Sequence, residues 1–496
     1  MKRRKVVIFV LAALLLMVTA ACSGGNEAPP PADNGGNNVE EPAAQEPEPT
    51  EEVVEAPELF GDALRGGLLY DKWWVPVGMD TPSEDHPLWA TQSSNTRGGG
   101  DTWRCKECHG WDYKGADGAY GSGSHFTGFP GVIGFSGGDA NEVLAIMQGS
   151  TNQYHDFSSV MDEQALTDLA LFITQETIDY ASLVAEDKMA VSSDTGLGES
   201  LYSDTCVECH GPEGLAINFG HLVTDLEYVS AIATGNPWEF LHKARFGQPG
   251  TDMPSALDQG WSEEEQGALL AYAQTLPGEN PATQGGQLYD KWWGAMGADA
   301  PESNNPLWST QSSNTREGGD TWRCKECHGW DYKGADGAYG SGSHFTGFAG
   351  VFGASESTAE ELTAWLTGAV NSDHDFSAYG SDAELAMLVA FLQEGMTDMS
   401  VYINADKTVN GDAANGETLY TATCERCHGA DGKAMNFGSD DDPEYLPDLA
   451  SGNPWEAFHK IANGQPGKSM PSALNLGWSW QDIADLVAYI QTLFTE

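Results

Sequence analysis

The chain has 496 residues, and its 23 basic side chains face 74 acidic ones for a net charge of −51. So acidic a surface excludes a nucleic-acid partner, whose phosphates require the opposite sign. The length suggests about three or four domains, and eight of the nine cysteines fall in four close pairs that leave only Cys22 apart.

The chain opens on Lys2, Arg3, Arg4 and Lys5, an apolar run from Val6 to Val18, and Thr19-Ala20-Ala21-Cys22. A basic start, a short apolar run and small residues before a cleavage point predict an export signal over residues 1–22. Cys22 resembles the lipidated cysteine of a bacterial lipobox, although Thr19 stands where leucine is usual. Acyl chains there would hold the protein to the extracytoplasmic face of a membrane, periplasmic or at the cell surface, without spanning it. A plain signal peptide is the alternative. No other stretch approaches the ~20 apolar residues of a transmembrane helix. Residues 23–57 are Pro, Glu, Asn, Gly and Ala with almost no large apolar side chains, and they read as a disordered acidic tether.

Four pentapeptides share one spacing: Cys105 to His109, Cys206 to His210, Cys324 to His328 and Cys424 to His428, each C-x-x-C-H followed by glycine. C-x-x-C-H is the c-type haem attachment signature. Cysteines at i and i+3 lie on one side of a helical turn, where each can form a thioether to a haem vinyl group. The next residue, histidine, then binds iron as the proximal ligand. The pattern implies covalent haem c at Cys105, Cys108, Cys206, Cys209, Cys324, Cys327, Cys424 and Cys427, with His109, His210, His328 and His428 on the four irons. A thioredoxin-like pair or half a zinc site fits one such pentapeptide, but not four that all end in histidine.

The segment Asp101 to Phe129 is identical to Asp320 to Phe348, and the likeness extends to both sides. The chain is a tandem duplication of a unit that holds two motifs. Turn-forming stretches place four domains at 58–190, 191–278, 279–405 and 406–496.

The second domain of each unit begins with Gly198 to Tyr202 or Gly416 to Tyr420, which lead straight into the motif. Met253-Pro254 or Met470-Pro471 follows, then an amphipathic helix opened by Ser262 with Glu265 or by Ser479 with Asp482. This order resembles a class I cytochrome c. The resemblance implies an all-α fold, four cytochrome c-like domains in tandem after the tether, with Met253 and Met470 as distal iron ligands.

The first domains depart from that order. Tyr70 and Tyr289 stand 35 positions before Cys105 and Cys324, whereas Tyr202 and Tyr420 stand 4 before Cys206 and Cys424. The insert carries Trp73, Trp74, Trp89 and Trp103, repeated as Trp292, Trp293, Trp308 and Trp322. Such a cluster predicts a cover on the porphyrin edge; a docking surface is the alternative. Where Met-Pro should stand, the first domains have His155 and His374, the expected distal ligands. His125 and His344, which also repeat, are rivals, and an open distal site is a third reading. His242 and His459 are expected at the surface or the haem edge. His86 and His221 have no counterpart in the other unit and read as incidental.

Methionine ligation raises the haem potential relative to paired histidines, so the expected order along the chain is low, high, low, high. The expected function is electron transfer between redox proteins, basic ones being steered by the negative field. Oxidation or reduction of a small inorganic substrate, a sulfur compound or peroxide, at a first-domain haem is the alternative. Membership of an extended cytochrome wire is a third possibility.

Overall fold

The computed structural model describes residues 58–493. The expected signal, Cys22 and the tether all lie outside them. The described residues form short helices joined by long loops, with no β-strand among them beyond isolated bridges. The described residues are all-α, as the resemblance to class I cytochromes c implies. Among the described residues no helix is long and apolar enough to cross a membrane.

One scheme is used four times. A first helix packs against the last helix of the same domain: Ala63–Lys72 on Glu163–Leu171, Thr195–Thr205 on Glu263–Ala273, Pro281–Met296 on Asp382–Glu394, and Ala413–Leu419 on Trp480–Thr492. The shared Gly-x-x-Leu-Tyr sequence explains how. At Gly66, Gly198, Gly285 and Gly416 a Cβ would come within 2.2, 2.1, 2.0 and 2.0 Å of a backbone carbonyl on the last helix. Only a residue without a side chain allows so close a crossing. One turn further on, the tyrosine reaches the haem motif. Its hydroxyl donates to the carbonyl of the glycine that follows the motif histidine: Tyr70 to Gly110 at 2.7 Å, Tyr202 to Gly211 at 2.8 Å, Tyr289 to Gly329 at 2.6 Å and Tyr420 to Gly429 at 2.6 Å.

The expected capping pairs are present. Ser262 with Glu265 and Ser479 with Asp482 each form a reciprocal capping box at the start of the last helix, which satisfies two otherwise orphaned N–H groups.

The four helix pairs fall into two apolar cores. One runs from Leu69 to Ala273 and the other from Leu288 to Ile490, with Val223 joining the second core from the first unit. The two domains of each unit therefore share one interior. His242 and His459 belong to that shared interior and are almost fully buried, not at the surface. His242 Nε2 donates to the Gly67 carbonyl at 3.0 Å. Its Nδ1 accepts from Tyr113 at 2.8 Å. His459 does the same with Gly286 and Tyr332. Each ties the second domain of a unit to the first helix of the domain before it.

Candidate haem-binding sites

Each motif is a single helical turn closed by glycine. Gly110, Gly211, Gly329 and Gly429 have φ of 77°, 76°, 77° and 77°, a left-handed conformation suited to glycine. The eight motif cysteines are unbridged. Burial pushes the thiols of Cys105, Cys108, Cys206, Cys324, Cys327 and Cys424 up to about 12. Among the described residues no group of three or more His, Cys, Asp or Glu side chains could hold a bare metal ion. Paired, unbridged cysteines beside a histidine fit a covalently held haem.

In the first domains the structure brings two histidines together, with their ring planes steeply inclined to one another. The rings of His109 and His155 have centres 6.2 Å apart and planes at 80°; those of His328 and His374 are 6.2 Å apart at 68°. An imidazole nitrogen binds a metal at about 2 Å, so two rings on opposite sides of one iron have centres roughly 6 Å apart once the ring half-widths are added. The other ring nitrogens are occupied. His109 Nδ1 is 2.7 Å from the Pro130 carbonyl and His155 Nδ1 is 3.4 Å from that of Ile146. His328 Nδ1 is 2.7 Å from Ala349 and His374 Nδ1 is 3.1 Å from Trp365. A carbonyl only accepts, so Nδ1 carries the proton and Nε2 keeps its lone pair for a metal.

His125 and His344 are engaged elsewhere. His125 Nε2 lies 3.3 Å from Arg97, its Nδ1 lies 3.7 Å from Glu107, and its ring packs on Tyr120 at 4.5 Å. His344 repeats this with Arg316, Glu326 and Tyr339. Both sit against the glutamate inside the motif, not opposite the proximal ring. The tryptophans of the insert are mostly buried core residues. Trp73 donates to the Trp103 carbonyl at 3.0 Å, Trp89 to Arg97 at 2.9 Å and Trp103 to Glu84 at 2.8 Å. So buried, most of these rings present little face to a partner.

His86 is not incidental. It is buried, its ring lies 4.5 Å from Trp103 and 5.2 Å from Phe157, and its Nδ1 accepts from the Leu88 N–H. Burial lowers its pKa to about 4, with His155 and His109 adding to the effect. Asn305 takes its capping role in the second unit, so the first and third sites differ beside otherwise equivalent ligands. His221 also has a partner: its Nδ1 is 3.0 Å from Ser469 Oγ.

Behind the first-domain motifs lies a buried charge network that the sequence reading did not anticipate. Asp71, on the first helix, pairs with Arg104 and with Lys243 of the second domain, the latter at 2.8 Å. Burial alone would raise the Asp71 pKa; Lys243 and Arg104 override it and hold the carboxyl far below its usual range. Lys243 and Lys106 lie 5.3 and 5.2 Å from the ring centre of Trp111. Asp290, Arg323, Lys460 and Trp330 repeat the arrangement. The signal was present in His-Gly-Trp after the first-domain motifs and in Trp-Glu-x-x-His-Lys of the second domains. Neither had an assigned use.

In the second domains the Met-Pro loop is anchored to the preceding helix. Ser255 Oγ donates to Arg245 at 2.6 Å, and the Ala256 N–H to Ala244 at 2.9 Å. In the copy, Ser472 Oγ donates to Ala462 at 2.7 Å and the Ala473 N–H to Ile461 at 2.9 Å. The backbone around half-buried Met253 and Met470 is thus fixed. His210 and His428 pack against Phe219 and Phe437, with ring centres 6.0 and 6.1 Å apart.

Residues 194–272 and 411–490 match the family model described as cytochrome C oxidase, cbb3-type, subunit III. These stretches are the two second domains; the first domains with their inserts lie outside both. Among solved structures, a thiosulfate dehydrogenase from Marichromatium purpuratum in its as-isolated form is similar over 86% of this chain and 90% of that one, at 16% sequence identity and a TM-score of 0.20. Among curated proteins, none matches the chain. The two matched stretches are similar to domains of a c-type cytochrome subunit.

Proposed function

We propose that the chain is an exported, lipid-anchored electron-transfer protein with four covalent haem c groups, at the motifs ending in His109, His210, His328 and His428. When bound, haem supplies one-electron exchange at iron. The residues do the rest. His155 and His374 would hold the iron of the first-domain sites together with His109 and His328, and Met253 and Met470 that of the second-domain sites together with His210 and His428. Paired histidines set a lower potential than a histidine–methionine pair, which gives the chain two kinds of centre. Cys22 and the following tether hold the folded part near an extracytoplasmic membrane surface, and the acidic surface steers basic redox proteins towards it.

The observation that carries this reading is the 6.2 Å separation of His109 from His155 and of His328 from His374. If both histidines of each pair held the iron, neither first-domain site would offer a free position to a substrate, which favours electron transfer over chemistry on a small inorganic molecule. Carbon monoxide tests it. The reduced protein is expected not to bind the gas rapidly. His155→Ala with His374→Ala should open both first-domain sites to it, and His125→Ala with His344→Ala should not. Rapid binding by the unaltered protein would overturn the reading in favour of oxidation of a sulfur compound or reduction of peroxide.

A further inference from the structure

The four motifs follow one another along the chain, yet contacts between the units bring the second motif to the fourth. Asn475 lies five residues after Met470 and is buried. Its Nδ2 donates to the Leu215 carbonyl at 2.8 Å. Its own carbonyl sits so close to Gly211 that a Cβ there would come within 2.1 Å. The Ser472 N–H donates to the Ala216 carbonyl at 3.3 Å. Residues 211–216 are the loop directly after His210, so the fourth domain's methionine loop is docked behind the second motif.

Contacts also run the other way. Arg426, inside the fourth motif, places a guanidinium nitrogen 2.8 Å from the Asp252 carboxylate and donates to the Gly250 carbonyl at 3.1 Å. Asp252 immediately precedes Met253. His221 of the second domain meets Ser469, the neighbour of Met470, at 3.0 Å. Each methionine loop therefore touches the other second domain. The arrangement does not follow from duplication alone, because the residue equivalent to Arg426 in the second motif is Glu208, of opposite charge.

Resting on the haem assignment above, we propose that the second and fourth motifs form one electrostatically coupled pair at the junction of the units, with Arg426 as the positive charge both share. Stability does not explain the Arg426–Asp252 pair. Its side chains are 49% and 88% exposed, and exposed ion pairs contribute little. Position gives it meaning: Arg426 offsets the Asp252 carboxylate beside Met253 and so favours the reduced, less positive iron at the second site as well as at its own.

The test is a spectroelectrochemical titration of the full-length haem-loaded chain, wild type against Arg426→Ala and Arg426→Lys. Removing the charge should shift both methionine-type waves to lower potential and leave the first-domain waves in place; lysine should restore them. A shift of one methionine-type wave alone, or of neither, overturns the proposal. Pulsed electron paramagnetic resonance of the oxidised wild type gives an independent check. The two methionine-type signals should relax one another, and coupling of the second site to the third instead overturns the pairing. The far-red methionine-to-iron absorption separates the layers. Its absence would overturn the ligand assignment and the pairing with it, whereas its presence with a single shifted wave would overturn the pairing alone.

Discussion

The Tyr113 hydroxyl donates to His242 Nδ1 at 2.8 Å across the boundary between the first and second domains. Both groups are buried. Since Nε2 spends its proton on the Gly67 carbonyl, Nδ1 can only accept, and Tyr113 is its donor. Tyr113→Phe keeps the ring and removes the donor. A buried acceptor left unpaired costs about 1–3 kcal/mol, so the variant is expected to lose that much stability by denaturant unfolding while its haem content stays unchanged. An unaltered midpoint would mean the contact does not form.

The same histidines predict acid lability. Burial pushes the pKa of His242 down to about 3 and that of His459 to about 4, from an ordinary 6.5. A depressed pKa means the folded state excludes a proton that the unfolded state accepts. The stabilisation is fully present above 6.5 and is lost as pH falls towards 4 and 3. Within that window each histidine contributes a slope of roughly 1.4 kcal/mol per pH unit. Unfolding measured between pH 6.5 and 4.5 should show this slope reduced by about one histidine's share in His242→Gln.

Asp71 makes a different prediction, because its partners are cations. Arg104 and Lys243 remain largely enclosed when Asp71→Asn removes the charge between them. Breaking a buried pair from one side costs about 3 kcal/mol or more. The loss should persist in 1 M salt, where the screening length is only ~3 Å but solvent ions do not reach the site. Thermal unfolding at low and high salt checks both parts. A loss that vanishes in salt would show the network to be open to solvent.

Much of this architecture was legible because it repeats. The four motifs, the Met-Pro loops and the capping pairs at Ser262 and Ser479 are local patterns, and each carries its meaning within a few residues. The pairing of domains was not legible. His242 meets Tyr113 and Gly67, and Lys243 meets Asp71, across more than a hundred residues of chain. No local pattern marks such partners. His86 was missed for a related reason: without a counterpart in the second unit it looked accidental, yet Asn305 performs the same capping. The repeat had preserved the hydrogen bond and not the residue.

The crossing glycines give the sharpest test, because two principles predict opposite signs. Replacing glycine by alanine inside a helix ordinarily stabilises by about 1 kcal/mol, through reduced freedom of the unfolded chain. At Gly198 the new Cβ would stand 2.1 Å from the Ala268 carbonyl, a backbone atom of the last helix that cannot swing aside. Overpacking of this kind costs roughly 1–3 kcal/mol, so Gly198→Ala is expected to be net destabilising. Gly196 lies two residues earlier in the same helix, and its nearest neighbour is the Asp194 carboxylate at 3.7 Å. Gly196→Ala should therefore be neutral or stabilising. The displaced helix also carries Tyr202, whose hydroxyl holds the Gly211 carbonyl beside His210. Gly198→Ala should thus disturb the haem spectrum of the second site as well as the unfolding midpoint, and Gly196→Ala should alter neither adversely. Equal stability for the two variants would show that the helices do not cross at Gly198.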